Sequence, residues 1–248
     1  MSGGWVVAAQ REPAGAGAAA SPAERLQGRA RLTRQALLVA AATRFAEVGY
    51  HGTSLSEVIA ASKVTKGALY FHFASKQALA DAVVAEMVVR WRVMVAEVNA
   101  RDLDPLWTLL AQTDEVVARM IADPIARGGI QLLSEPGLVC AGAAEHYAYG
   151  ETAAAEQLTA AAAIGLLRPG LHPTRVARLV VAMITGVNVI CDLTRDRDQL
   201  WECVTDMWQG LLPAIATDPW LERWRAADWP RRVIPATTEL LDLPRQGG

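Results

Sequence analysis

The chain has 248 residues, 52% of them apolar and 6% aromatic, with a formal net charge of −2. This length suffices for one large or two small domains with a sizeable core, and many Ala and Leu with few aromatics point to helices and away from a β-rich fold. No uninterrupted apolar run of about 18 residues and no basic-then-apolar leader pattern appear, and Cys140, Cys191 and Cys203 are far apart and unpatterned, which suits a reducing compartment and not a disulfide framework or zinc site. A cytoplasmic protein with no cofactor, no metal and no membrane partner is expected.

Residues 1–27 are rich in Ala, Gly and Ser with two prolines and no periodicity, and read as a disordered tail. Arg25, Arg29 and Arg31 stand where that tail meets the first helix; an arm tracking phosphates and a merely soluble tail both fit them. The first helix is predicted over 31–48, with Leu38, Ala41, Ala42 and Phe45 as its apolar stripe and Gly49 as its C-cap. Ser54 and Glu57 form a capping-box pattern before Leu55, Val58 and Ile59, which fall on one face of a second helix. Ser62, Lys63 and Val64 read as a short turn. Thr65 caps a short third helix, 66–71, anchored from behind by Leu69 and Phe73, with Lys66, Gly67 and Tyr70 outward. Ser75 caps a fourth helix, 76–100, whose buried face carries Leu79, Val83, Met87 and Trp91 or Met94.

Two helices joined by a tight turn, the second short and led by Thr-Lys-Gly, form the pattern that sets a helix into a DNA major groove. Lys66 can bond guanine acceptors or a phosphate, and Tyr70 a phosphate or a thymine methyl. Gly67 costs roughly 1 kcal/mol against Ala in a helix, and its bareness lets backbone approach a base edge. Lys76 beside a helix N-terminus is a natural phosphate site. The expected DNA face is Thr53, Ser54, Thr65, Lys66, Gly67, Ala68, Tyr70, His72 and Lys76. Charge agrees: between Arg25 and Arg92 ten cations meet four anions, a net of +6, which leaves −8 elsewhere.

The body reads as helices over 105–122, 124–133, 141–163, 174–192 and 199–215, with a segment after Asp218 and Pro219, holding Trp220, Trp224 and Trp229, that is expected to fold back as a short helix. The domains expected are a tail at 1–27, a helix-turn-helix domain at 28–75, a helical ligand-binding and dimerisation domain at 76–228 and a tail at 229–248. The fold class is all-α.

The segment from Arg29 to Arg92 resembles the DNA-binding domain of the TetR family of transcriptional regulators. Val64 to Lys76, VTKGALYFHFASK, is most similar to the branch of γ-butyrolactone and related autoregulator receptors. The resemblance implies a homodimeric repressor of a near-palindromic operator, paired through helices 174–192 and 199–215. It also implies a small-molecule pocket in the body, for which Trp107, Met120, Gln131, Tyr147, Tyr149, Met183, Val187 and Asn188 are the candidates. An amide such as Asn188 in so apolar a run needs a partner. The Trp that those receptors typically carry on the Ala-rich helix falls here near Gly150, with Tyr149 the nearest aromatic. A butyrolactone, furan, butenolide or antibiotic-like effector therefore stays open, as does a body that binds a partner protein or no ligand.

No catalytic motif such as GxSxG, a P-loop or HExxH is present, so no catalytic residue is expected. His146 with Glu145 is the single pair suited to a general base. The cysteines offer a weak redox or metal-sensor alternative.

Overall fold

A computed structural model describes residues 21–194 and 199–229. The expected tails, apart from Ser21 onward and Trp229, lie outside the described residues. Among the described residues ten α-helices run in the order α1 Pro22–Gly52, α2 Leu55–Ser62, α3 Lys66–His72, α4 Lys76–Asn99, α5 Pro105–Ala122, α6 Pro124–Ser134, α7 Ala143–Ala163, α8 Pro173–Thr194, α9 Leu200–Ile215 and α10 Asp218–Ala226. Among the described residues there is no strand, only an isolated bridge between Leu167 and Ala216.

The first helix begins earlier than expected. Ser21 accepts from the Glu24 amide while the Glu24 carboxylate accepts from the Ser21 amide, and Pro22 fills the first turn, where a missing N–H costs nothing. Residues 22–27, read as tail, are thus helix, and Arg25, Arg29 and Arg31 are carried on α1. At the other end Gly49 leaves the helix with φ 72°, the conformation expected of its C-cap.

Leu37, Leu38, Ala41, Ala42 and Phe45 of α1 are buried with Val58 of α2, Leu69 and Phe73 of α3, and Leu79 and Val83 of α4. Each such Leu or Phe removes enough apolar surface from water to contribute roughly 1.5–3 kcal/mol. These contacts set α1, α2 and α3 on the first turns of α4 as one head. The body takes over along α4, with Met87, Trp91, Met94 and Val98 buried against α5, α6 and α7. Helix α6 passes between α1 and α4, and Gly128 makes that possible: a Cβ there would lie 2.4 Å from the Ala42 carbonyl oxygen.

Helix α10 closes the far end. Asp104 caps α5 by accepting from the amides of Leu106 and Trp107, and also accepts from Trp220 Nε1 and Arg223. One carboxylate therefore ties the tryptophan segment to the start of α5.

By length and mean hydropathy, 1.5, Pro173–Asp192 is apolar enough to cross a membrane, although Arg175, Arg178 and Asn188 interrupt its apolar run. In the fold it packs along α7 and α9.

Candidate nucleic-acid interface and ligand cavity

The short helices of the head are held by caps. Ser54 accepts from the Glu57 amide at 3.2 Å and its own amide donates to the Glu57 carboxylate at 2.9 Å. Arg44 of α1 reaches the other oxygen of that carboxylate at 2.9 Å, which locks α2 to α1. Lys63 turns the chain with φ 57°, and Thr65 caps α3 by accepting from the Ala68 amide at 3.2 Å. The caps hold the Glu57 carboxyl below its usual range, first through the backbone and hydroxyl of Ser54 and then through Arg44.

With Leu69 and Phe73 buried, the opposite face of α3 is free. Lys66 is exposed, nothing lies within 4 Å of a Cβ at Gly67, and Tyr70 is 49% exposed. His72 is half-buried and Ala68 half-buried behind them. Phe71 was not foreseen and is 81% exposed, in edge contact with His72. Its signal was its place between outward Tyr70 and His72 on a helix whose anchors were already assigned.

Two other expected DNA residues are occupied inside the head. Thr53 is buried and its hydroxyl donates to the Gly49 carbonyl at 2.8 Å. Lys76 Nζ donates to the carbonyls of Tyr50 at 2.9 Å and Thr53 at 3.0 Å, and lies 4.3 Å from the Tyr50 ring centre. It stitches the end of α1 to the start of α4, a use of its charge that a phosphate would have to compete with.

In the body, helices α4 to α8 surround a cavity of about 110 Å³. Its wall is mostly apolar, from Trp91, Met94, Leu109, Val116, Met120, Ile130, Val180, Val181 and Ile184, with Tyr147, Tyr149, Gln112, Thr113, Thr185 and Asn188 among its polar members. Of the sequence candidates it gathers Met120, Tyr147, Tyr149 and Asn188. Trp107 is elsewhere, its ring 5.5 Å from that of Trp220. Gln131 is half-buried on α6 outside the wall. Met183 and Val187 pack against the core from a neighbouring face of α8, because Val181, Ile184, Thr185 and Asn188 share the face turned to the cavity. Gly150 also lines the cavity.

His146 lies in the wall with its ring 4.5 Å from that of Trp91. Burial pushes its pKa down to about 4, so it is neutral near pH 7. Burial raises the Tyr147 and Tyr149 phenols. Glu145 faces outward, paired with Arg92, whose guanidinium also sits over Tyr149. Glu145 and His146 therefore do not form a dyad. Cys140, Cys191 and Cys203 form no disulfide among the described residues, and burial, helped by Asp81, pushes Cys140 up to about 11.

Residues 37–83 match the family described as bacterial regulatory proteins, tetR family. The A-factor receptor protein of Streptomyces griseus is 32% identical over 192 residues, which cover 77% of this chain and 66% of that receptor. A crystal structure of a γ-butyrolactone receptor, an ArpA-like protein, superposes with a TM-score of 0.68 at 27% identity, covering 77% of this chain and 92% of that one. Full-length TylP, a TetR regulator from Streptomyces fradiae, superposes with a TM-score of 0.62 at 31% identity, covering 85% and 96%.

Proposed function

This chain belongs to the TetR family of DNA-binding regulators, in the branch of the γ-butyrolactone receptors, and from that premise we propose that it is a ligand-responsive repressor. It binds a near-palindromic operator as a homodimer and lets go when a small, mostly apolar molecule occupies the body. The observation that carries this reading is one helix. Helix α4 begins a short turn after the recognition helix α3, is clasped to the end of α1 by Lys76, and through its later turns supplies Trp91, Met94 and Val95 to the cavity wall. What fills the cavity and what meets DNA are thus attached to the same rod.

We assign the DNA contacts to Ser54, Thr65, Lys66, Gly67, Tyr70 and His72, with Phe71 added. Residues 28–75 form the DNA-binding domain and 76–228 the sensing and dimerising one. The pair is assigned to α8 and α9, and α8 carries the support: Leu179 is 48% and Ile190 61% exposed on it, whereas the large apolar residues of α9 are buried within the chain. A two-fold pair would offer two recognition helices about 34 Å apart, one DNA turn.

The test is selection of bound duplexes from a random pool, with Tyr70→Ala in parallel. A near-palindromic site recovered by the wild type and lost in the variant is expected. No enriched site at low salt overturns the proposal.

A further inference from the structure

Helix α1 outruns its own core. Its buried face begins at Leu37, yet the helix begins at Pro22. At 1.5 Å per residue, 22–31 project about 15 Å. Leu26 stays 71% and Leu32 57% exposed, so packing against the head is not what keeps this stretch helical. A helix of that length without packing is marginal in water, and the sequence gives it a built start in the Ser21–Glu24 capping box and Pro22. A tail that serves solubility alone has no use for one.

The same stretch is basic. From Pro22 to Ala36 it carries Arg25, Arg29, Arg31 and Arg34 against Glu24, a net of +3, and Glu24 is spent on the Ser21 amide. Further along α1 and α4 the arginines are matched: Arg44 with Glu47 and Glu57, Arg90 with Glu86 and Asp123, Arg92 with Glu145. Arg29 and Arg31 are exposed and have no ion pair among the described residues. Arg25 and Arg29 stand one turn apart, as do Arg31 and Arg34, and like charges at that spacing weaken a helix. An anion laid against them removes the repulsion.

The root of the stretch is fixed beside α3. On one flank Leu32, Gln35 and Ala36 share a shallow groove with Ala61 and Ser62 at the end of α2, just before the turn into α3. On the other the Arg34 guanidinium lies 5.5 Å from the ring centre of Phe73, which closes α3. Helix α1 therefore leaves the head next to both ends of α3. Helical spacing puts Arg25 and Arg29 on the flank of Leu32 and Ala36, and Arg31 on that of Arg34.

We propose that α1 from Pro22 to Arg34 is a second DNA-binding element, whose arginines hold the phosphates bordering the groove that α3 enters. This rests on the reading of the head as a DNA-binding domain and extends it to a part of the chain outside the α2 and α3 contacts. Guanidinium–phosphate bonds fix register and carry no sequence information. The stretch thus adds affinity while α3 keeps the reading of bases.

The test uses the full-length protein and a labelled duplex of arbitrary sequence, with affinity read by fluorescence anisotropy from about 50 to 200 mM salt. Each lost phosphate contact flattens the slope of log affinity against log salt by about 0.9. The pair Arg29→Gln with Arg31→Gln should therefore be shallower by about 1.8 for each bound protomer, and its loss of affinity over that range about twelvefold smaller than that of the wild type. Arg29→Lys with Arg31→Lys should keep the wild-type slope. So should Arg225→Gln, which removes an exposed cation of α10 at the far end of the body. Melting of the glutamine pair should match the wild type. If it does not, Arg29→Gln and Arg31→Gln singly carry the test, each shallower by about 0.9.

An unchanged slope in the glutamine variants overturns the proposal. So does an equal drop in Arg225→Gln, which would make the effect one of net charge. Wild-type DNA binding by the glutamine pair with loss of its sedimentation on phosphatidylserine vesicles overturns it in favour of a membrane. An operator recovered by selection together with an unchanged slope leaves the proposed function standing without this element. A flattened slope with no enriched site leaves the element standing without that function, and no DNA binding at low salt sinks both.

Discussion

Acidification should unfold this protein earlier than its carboxylates require, and His146 is the reason. In the unfolded chain its pKa is near 6.5, while in the cavity wall burial lowers it to about 4. Between those values the unfolded state binds a proton that the native state refuses, so stability falls as pH falls. The contribution is intact above the unfolded value and is lost progressively as pH drops through it towards the folded value. One pKa unit corresponds to about 1.4 kcal/mol, so going from pH 7 to pH 4.5 should remove about 2 kcal/mol through this one side chain. The assay is urea unfolding at fixed protein concentration over that range, on wild type and on His146→Phe, which keeps a ring against Trp91 but cannot titrate. Glu24 and Glu57, whose carboxyls the caps hold below 4.5, lose their contribution only lower down and do so equally in both proteins. The difference between the two stability curves should therefore tilt by about 2 kcal/mol between pH 7 and 4.5. Parallel curves would refute the burial of a neutral imidazole in the wall.

Lys76→Met should lower the stability of the head by about 1–3 kcal/mol, since the carbonyls of Tyr50 and Thr53 lose their donor, while the salt dependence of DNA binding stays unchanged; a flatter salt slope would restore Lys76 as a phosphate contact. Gly128→Ala should destabilise more than Gly129→Ala in chemical denaturation, because the new Cβ meets the Ala42 backbone at 2.4 Å in the first case and the flexible Met87 sulfur at 2.5 Å in the second. Equal losses would mean that α1 and α6 separate easily.

The caps made the head readable before any coordinates. Ser54 with Glu57, Thr65 and Ser75 announce three helix starts within about two dozen residues, and each side chain can satisfy an orphan amide in only a few ways. The same Ser-x-x-Glu signal at Ser21 and Glu24 was present but sat next to an Ala/Gly-rich stretch, and composition outweighed the local pattern. The cavity was half legible. Helical spacing shows which residues of α8 share a face, but not which face meets α7, and that choice separates Ile184 and Asn188 from Met183 and Val187. Trp107 was lost to the cavity through Trp220, which α10 brings back from far along the chain under the pull of Asp104. Periodicity carries no information about such a return.

How an occupant of the cavity reaches DNA depends on which walls it presses. Between Lys76 and Trp91 lie about four turns of α4, roughly 22 Å at 1.5 Å per residue. Helix α6 is a second strut, with Ile130 and Ser134 in the wall and Gly128 seated on Ala42 of α1. Close-packed contacts of this kind move as units and do not deform gradually. A ligand shifts the spacing of the heads only by binding one arrangement more tightly than the other. An occupant pressing on Trp91 or Ile130 bears on both struts and discriminates between head positions. One held by α7 and α8 alone bears on neither. On the proposed function, affinity for the cavity and the power to release DNA are therefore separable properties: α7 and α8 can supply the first, and the second belongs to the part of the molecule that reaches α4 and α6.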